Sequence, residues 1–301
     1  MSTPHINIDD FGMGTVSLAG TLESKLAVVR DAGFAQIMLS ARDVVGHPGG
    51  IDDAARAIRA SGLRVTGFEA LTDFEGLTGR LHAYKVDVAK SMLEMCDAIG
   101  AKLLLVASST SAHATGDEDA IARDLSKLAM LAVPFGIRIA YEGLSWGRCV
   151  RDFAAAWDVV CRAGAPNLGI AIDSFHTFAA QAPLDDLEML SPEGIFVVKL
   201  ADFMWPEAGG DDERMATDRH HRVFPGEGAH SEALAAFVTR LDANGYYGNY
   251  SFDVYNDDYL QMPPDVVAAR ALAAAEWLGE TVLRRALPVP NVERLSRPAP
   301  T

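Results

Sequence analysis

Four ionisable residues close four short apolar runs: Glu142 ends 137–142 (IRIAYE), Asp173 ends 168–173 (LGIAID), Lys199 ends 195–199 (IFVVK) and Asp253 ends 250–253 (YSFD). A single strand-end carboxylate often only caps the next helix or pairs with an arginine. Four charged ends in succession, separated by helical segments, point instead to a ring of strand ends facing one pocket. Glu142, Asp173 and Asp253 are hard oxygen donors of the kind that hold Mg²⁺ or Mn²⁺. Lys199 is the residue that complicates that reading.

The surrounding chain supplies the elements such a ring needs. Apolar runs at 15–20, 35–40, 63–70 and 102–107 precede the four already named, and helical spacing with glycine stops fills the intervals. The expected helices cover 21–32, 51–60, 81–99, 120–133, 150–163, 185–190, 231–243 and 264–278, and 202–230 reads as a long irregular region. The runs are continuous rather than alternating, as in strands covered on both faces. Eight strand-then-helix units without a linker predict an α/β chain folded as a single (β/α)8 TIM barrel. An open doubly wound sheet is disfavoured because no Gly-x-Gly-x-x-Gly follows the first strand. The expected organisation is an N-terminal arm at 1–13, the barrel at 14–280 and a Pro-rich tail at 281–301.

Composition narrows the partners. The chain has 301 residues, 49% hydrophobic and 22% charged, with a formal net charge of −15. Such a surface repels polyanions, which argues against nucleic acid and anionic membranes and for a small-molecule substrate. No apolar run approaches the roughly 20 residues that span a bilayer. The opening residues lack a signal-peptide pattern, and three cysteines without CxxC spacing suggest reduced thiols, so the expected location is the cytoplasm. A homo-oligomer stays open.

Several segments carry a family resemblance. Phe74-Glu75-Gly76, Leu104-Leu105-Val106 with Ser108-Ser109, the run 141–148 (YEGLSWGR), Asp173-Ser174-Phe175-His176-Thr177, the run 219–228 (RHHRVFPGEG) and the run 252–257 (FDVYND) fall in order. Together they resemble the 3-dehydroshikimate dehydratase branch of the xylose-isomerase-like sugar phosphate isomerase/epimerase barrels, over about 14–278. The resemblance implies a lyase or isomerase that works through an enolate on a small polyhydroxy ketone, with one divalent metal held by Glu, Asp, Gln or His, and Glu at the ends of strands five to eight. Glu142 and Asp173 match that set. Lys199 and Asp253 depart from it, as do Cys149, where the branch usually has His, and Met38, where it usually has Glu. The resemblance also makes His176 a proton-transfer residue and Arg222 the anchor for a substrate carboxylate, with Trp146 as a pocket wall and Glu227 on a substrate hydroxyl.

The departures leave alternatives open. An ammonium is repelled by a divalent cation and has no lone pair to donate. Either a metal stays on Glu142, Asp173 and Asp253 with Lys199 neutral or turned aside, or Lys199 takes the cation's place and no metal is needed. In the second case its ammonium stabilises an enolate electrostatically, or its amine forms a Schiff base; nearby carboxylates favour the ammonium. A non-catalytic barrel that binds a sugar acid or a regulatory partner is the remaining alternative.

Overall fold

Eight parallel strands pair edge to edge and close on themselves in a computed structural model that describes residues 10–283. Around the barrel run β1 (Phe11–Gly14), β2 (Gln36–Ser40), β3 (Arg64–Thr72), β4 (Leu103–Ala107), β5 (Arg138–Glu142), β6 (Leu168–Asp173), β7 (Ile195–Leu200) and β10 (Tyr250–Phe252). A short antiparallel ribbon, β8 (Asp202–Phe203) and β9 (Arg222–Val223), lies between the last two barrel strands in sequence. The helices are α1 (Leu22–Asp31), α2 (Ala41–Val45), α3 (Gly50–Ser61), α4 (Gly79–Ile99), α5 (Glu118–Ala132), α6 (Phe153–Ala163), α7 (Ser174–Ala179), α8 (Asp211–His220), α9 (Ser231–Ala243) and α10 (Pro264–Glu276). The single (β/α)8 TIM barrel is therefore the fold. No helix among the described residues is long and apolar enough to cross a membrane.

Local chemistry explains the element ends. Thr21, Asp117 and Asp152 each accept a backbone N–H in the first turn of the helix that follows, replacing partners the helix cannot supply. Gly62 and Gly100 end α3 and α4 at φ 74° and 76°, where a Cβ would be strained.

Side-chain alternation builds the interior. Met38, Leu103, Leu105, Ala140, Ala171 and Val197 form an apolar cluster of their own, apart from the larger core between sheet and helices. In a strand, residues two apart share a face. Two positions beyond interior Ala140, Ala171 and Val197 come Glu142, Asp173 and Lys199. The same step leads from Gly67, packed against Met38 and Leu103, to Glu69. The charged layer at the carboxyl ends of the strands is thus the next layer above a dry apolar floor.

Several expectations are corrected. The first strand is Phe11–Gly14, not 15–20, which begins as a single 3₁₀ turn at Thr15–Ser17. Glycine at two of its four positions hid the pattern, yet Gly12 is needed because a Cβ there would press on Gln36. Residues 11–13 belong to the barrel instead of the arm. The expected helix at 185–190 is a 3₁₀ segment, Leu184–Met189, and the region 202–230 holds α8 and the β8–β9 ribbon. The remaining arm residues 1–9 and the tail 284–301 lie outside the described residues.

Candidate active site

Lys199 comes from β7, Glu69 from β3, Glu142 from β5 and Asp173 from β6, while Asp253 follows β10 directly. The Lys199 Nζ lies 2.5 Å from Asp253 Oδ2, 3.1 Å from Glu142 Oε1, 3.4 Å from Asp173 Oδ2 and 3.7 Å from Glu69 Oε2. All five side chains are buried. The geometry brings together the four strand-end residues singled out from sequence and adds Glu69.

Cross-strand register explains the closest pair. Lys199 is paired with Ser251 across the β7–β10 ladder, and Asp253 lies two residues further on the same face. A long side chain on one strand reaches across to a short one on its neighbour.

Arg222 forms a second cationic centre. Its Nη1 donates to Asp173 Oδ2 at 2.7 Å and to the Asp253 carbonyl at 3.0 Å, and its Nη2 pairs with Asp218 on α8. The guanidinium lies over the Phe175 ring, 4.5 Å from its centroid. This buried Arg222 is held by carboxylates of the chain itself through both terminal nitrogens, while its Nε is buried without a hydrogen-bond partner among the described residues. Glu227 does not reach the cluster: it accepts from Arg270 Nε at 2.7 Å and from the Tyr259 hydroxyl at 2.5 Å.

His176 lies in α7 rather than in the loop expected for it. Its Nδ1 lies 3.3 Å from Ser145 Oγ and its Nε2 3.5 Å from Arg222 Nη2. The half-buried Trp146 meets the imidazole edge to face, with centroids 5.0 Å apart. Asp173 does two things at once: Oδ1 caps α7 by accepting from Phe175 N at 2.8 Å, while Oδ2 faces Lys199 and Arg222.

The electrostatics separate these groups. Burial alone would lower the Lys199 ammonium, but Asp253, Glu142, Asp173 and Glu69 together hold it well above the ordinary lysine value. Burial opposes ionisation of Asp173, yet Arg222 and Lys199 keep its carboxyl well below the usual range. Burial pushes Glu142 up to about 7, with Asp173 and Asp253 adding to the rise against the pull of Lys199. Burial and Asp253 push Glu69 well above the usual range. Burial also drives His176 well below the ordinary imidazole value, leaving a neutral ring at neutral pH. The site therefore holds a fixed ammonium, a fixed carboxylate, a neutral imidazole and a carboxyl that exchanges its proton near neutrality.

Glu142, Asp173 and His176 offer ligand-type atoms within 4.8 Å of one another. Lys199 and Arg222 stand against the same carboxylates, so a divalent cation on that set requires the ammonium to move aside. A metal about 2 Å from Glu142 Oε1 would stand no more than about 5 Å from the ammonium, 3.1 Å from that same oxygen. At an effective dielectric constant of about 20 the repulsion is about 7 kcal/mol, before Arg222 adds its share.

Sequence reasoning missed Glu69, Asp218 and Tyr255. The Tyr255 phenol is raised well above its ordinary value by burial, with Glu69 and Asp253 adding to the effect, which places it in the field of the cluster. The only sequence signal for Glu69 was its two-residue step from Gly67.

Comparisons with known proteins agree with this architecture. A family model described as "Xylose isomerase-like TIM barrel" matches residues 26–281. The 3-dehydroshikimate dehydratase of Pseudomonas aeruginosa is 35% identical over 291 residues, 96% of this chain and 45% of the relative. The chain spans about half the length of the curated dehydratase relatives it matches first. A solved xylose isomerase-like TIM barrel/4-hydroxyphenylpyruvate dioxygenase fusion protein superposes with a TM-score of 0.85 at 31% identity, over 93% of this chain and 45% of that one. The IOLI protein, solved with a zinc atom, shares the fold at a TM-score of 0.78 and 20% identity, over 91% of this chain and 99% of that one.

Proposed function

The chain belongs to the xylose isomerase-like TIM barrel family, and from that premise we propose that it is a carbon–oxygen lyase working through an enolate. The substrate class is a small polyhydroxy ketone bearing a carboxylate, with 3-dehydroshikimate as the leading member. One observation carries the reading: a buried ammonium held by Asp253 and Glu142 stands at the strand ends where Glu142, Asp173 and His176 converge, and burial raises the Glu142 carboxyl and lowers the His176 imidazole.

The chemistry follows from these charge states. The substrate carbonyl oxygen faces Lys199 Nζ, and neutral His176 takes the proton from the carbon beside the carbonyl. Charge developing on the enolate oxygen is stabilised by the ammonium, which needs no reorganisation because the acids already fix it. Protonated Glu142 gives its proton to the hydroxyl β to the carbonyl, which leaves as water while the enolate pair forms the new carbon–carbon double bond. For 3-dehydroshikimate, loss of one water and tautomerisation give an aromatic dihydroxy acid. The proton on His176 then returns to solvent, and Glu142 is reprotonated. Because Lys199 is held as an ammonium, it acts by its charge and not as a Schiff-base nucleophile.

Lys199, Glu142, Asp173 and His176 are each no more than 3% exposed, so the site must open to admit substrate. In this reading Arg222, paired with Asp218, is a positioning group that ties α8 to Asp173. The substrate carboxylate is met by Arg214, which bonds the main chain of Ser145, the residue whose hydroxyl contacts His176. It donates to the main-chain carbonyls of Ser145 and Ala208 and has no carboxylate partner among the described residues. A cytoplasmic location is proposed on the same footing, from three free thiols.

The test is direct. Purified protein mixed with 3-dehydroshikimate should produce an aromatic acid with new ultraviolet absorbance, at a rate unaffected by chelator. The engagement of Arg222 and Glu227 by groups of the chain itself favours a second reading, a barrel that binds a sugar acid without turning it over. Calorimetric binding of 3-dehydroshikimate without product would select that reading. Neither binding nor turnover would remove this substrate.

A further inference from the structure

We infer that the Lys199 ammonium is a built-in replacement for a divalent cation, and that the carboxylates around it form a latent metal site that opens when the ammonium is removed.

Three observations carry this. First, Nζ contacts one oxygen from each of Glu69, Glu142, Asp173 and Asp253, three acids on three different strands and one directly after a fourth. A convergence of oxygen donors on one point is what a hard cation requires, and here the central position is taken by nitrogen. Second, lysine and Asp253 are matched in length. They stand on the same face of neighbouring strands, and the shortest contact in the cluster, 2.5 Å, is between them. A shorter acid at 253 leaves room that the long lysine side chain fills. Third, donor capacity is left over. Asp253 Oδ1 and Glu69 Oε1 are buried and have no hydrogen-bond partner among the described residues, so one ammonium with three protons does not satisfy the oxygens converging on it.

Replacing Lys199 by a neutral side chain of similar reach removes the competing charge and leaves these oxygens facing one vacated position. Lys199→Gln also contributes an amide oxygen, a neutral donor that hard cations accept. Glu142 and Asp173, with the nearby His176, are already within one coordination sphere of each other. Asp253 supplies a further oxygen.

The inference concerns the site of the proposed lyase, but it is read without substrate, so its failure and the failure of the substrate assignment are separate results. Wild-type protein and Lys199→Gln are produced in Mn²⁺-supplemented medium and dialysed. Each is assayed by elemental analysis and by thermal melting in Mn²⁺ and in chelator. Wild type is expected to retain no divalent metal and to melt at the same temperature in both buffers. Lys199→Gln is expected to retain about one Mn²⁺ per chain and to melt higher in Mn²⁺ than in chelator. Recovery of soluble variant only from Mn²⁺-supplemented medium supports the same conclusion. If the single variant is insoluble in every medium, Lys199→Gln with Glu69→Gln, which removes one charge outside the Glu142–Asp173–His176 set, decides the question by the same two measurements. Stoichiometric metal in the wild type overturns the inference. So does a folded variant, single or double, that takes up none.

Discussion

Replacing Glu142 with glutamine should slow turnover sharply while making the protein more stable above neutral pH. Burial holds the Glu142 carboxyl at about 7, against 4.5 for an unconstrained glutamate. Between these values the folded chain keeps the proton and the unfolded chain has released it, so stability falls as pH rises through this window. At about 1.36 kcal/mol per pH unit, the ionised carboxylate costs about 3 kcal/mol above pH 7, and the cost is absent below about pH 4.5. Glutamine has nearly the shape of the protonated acid and does not titrate, so it escapes this cost. For a chain of 301 residues, 1 kcal/mol moves the melting temperature by about 2 °C. Glu142→Gln should therefore melt close to wild type at pH 5 and about 5 °C higher at pH 8.5, measured by calorimetry in matched buffers. The same variant cannot protonate a leaving hydroxyl, and kcat should fall at least about 100-fold. A melting difference that is unchanged between pH 5 and pH 8.5, or that reverses sign at the higher pH, would refute the charge assignment.

Three further outcomes are expected. Lys199→Met, assayed by urea titration, should lose about 3–5 kcal/mol at pH 8, because it leaves buried carboxylates without their cation. That loss should shrink as pH falls and Glu142 and Glu69 take up protons, whose folded values are both raised. Arg214→Leu should raise KM for a carboxylated substrate about tenfold or more with a smaller change in kcat, in steady-state assays; an unchanged KM would remove Arg214 from substrate binding. Gly143→Ala places a Cβ against the Asp152 carbonyl, a backbone atom that cannot swing aside, and should cost about 1–3 kcal/mol in denaturant titrations.

The barrel was legible because its central strands carry unbroken apolar runs such as Leu103–Ala107 and 195–198, buried at every position. Glu142, Asp173, Lys199 and Asp253 stood out because each charge interrupts such a run at or next to its end. Glu69 did not, since β3 continues past it to Thr72 and its neighbours Thr66 and Gly67 dilute the pattern. Helix α8 escaped notice because it is polar on nearly every face: its sequence, DDERMATDRH, offers no apolar stripe. With α8 unread, the i,i+4 pairing of Asp218 with Arg222 was unreadable too. Arg222 was then read, on sequence alone, without the two carboxylates that hold its terminal nitrogens. Asp173 shows a different limit, because helix capping and charge pairing are both true of it, one through each carboxylate oxygen.

That second oxygen joins two parts of the fold. Asp173 Oδ2 meets Lys199 Nζ from strand β7 and Arg222 Nη1 from the segment paired with α8. One carboxylate oxygen thus divides its charge between two buried cations, and the loss of either cation leaves more of that charge to the other.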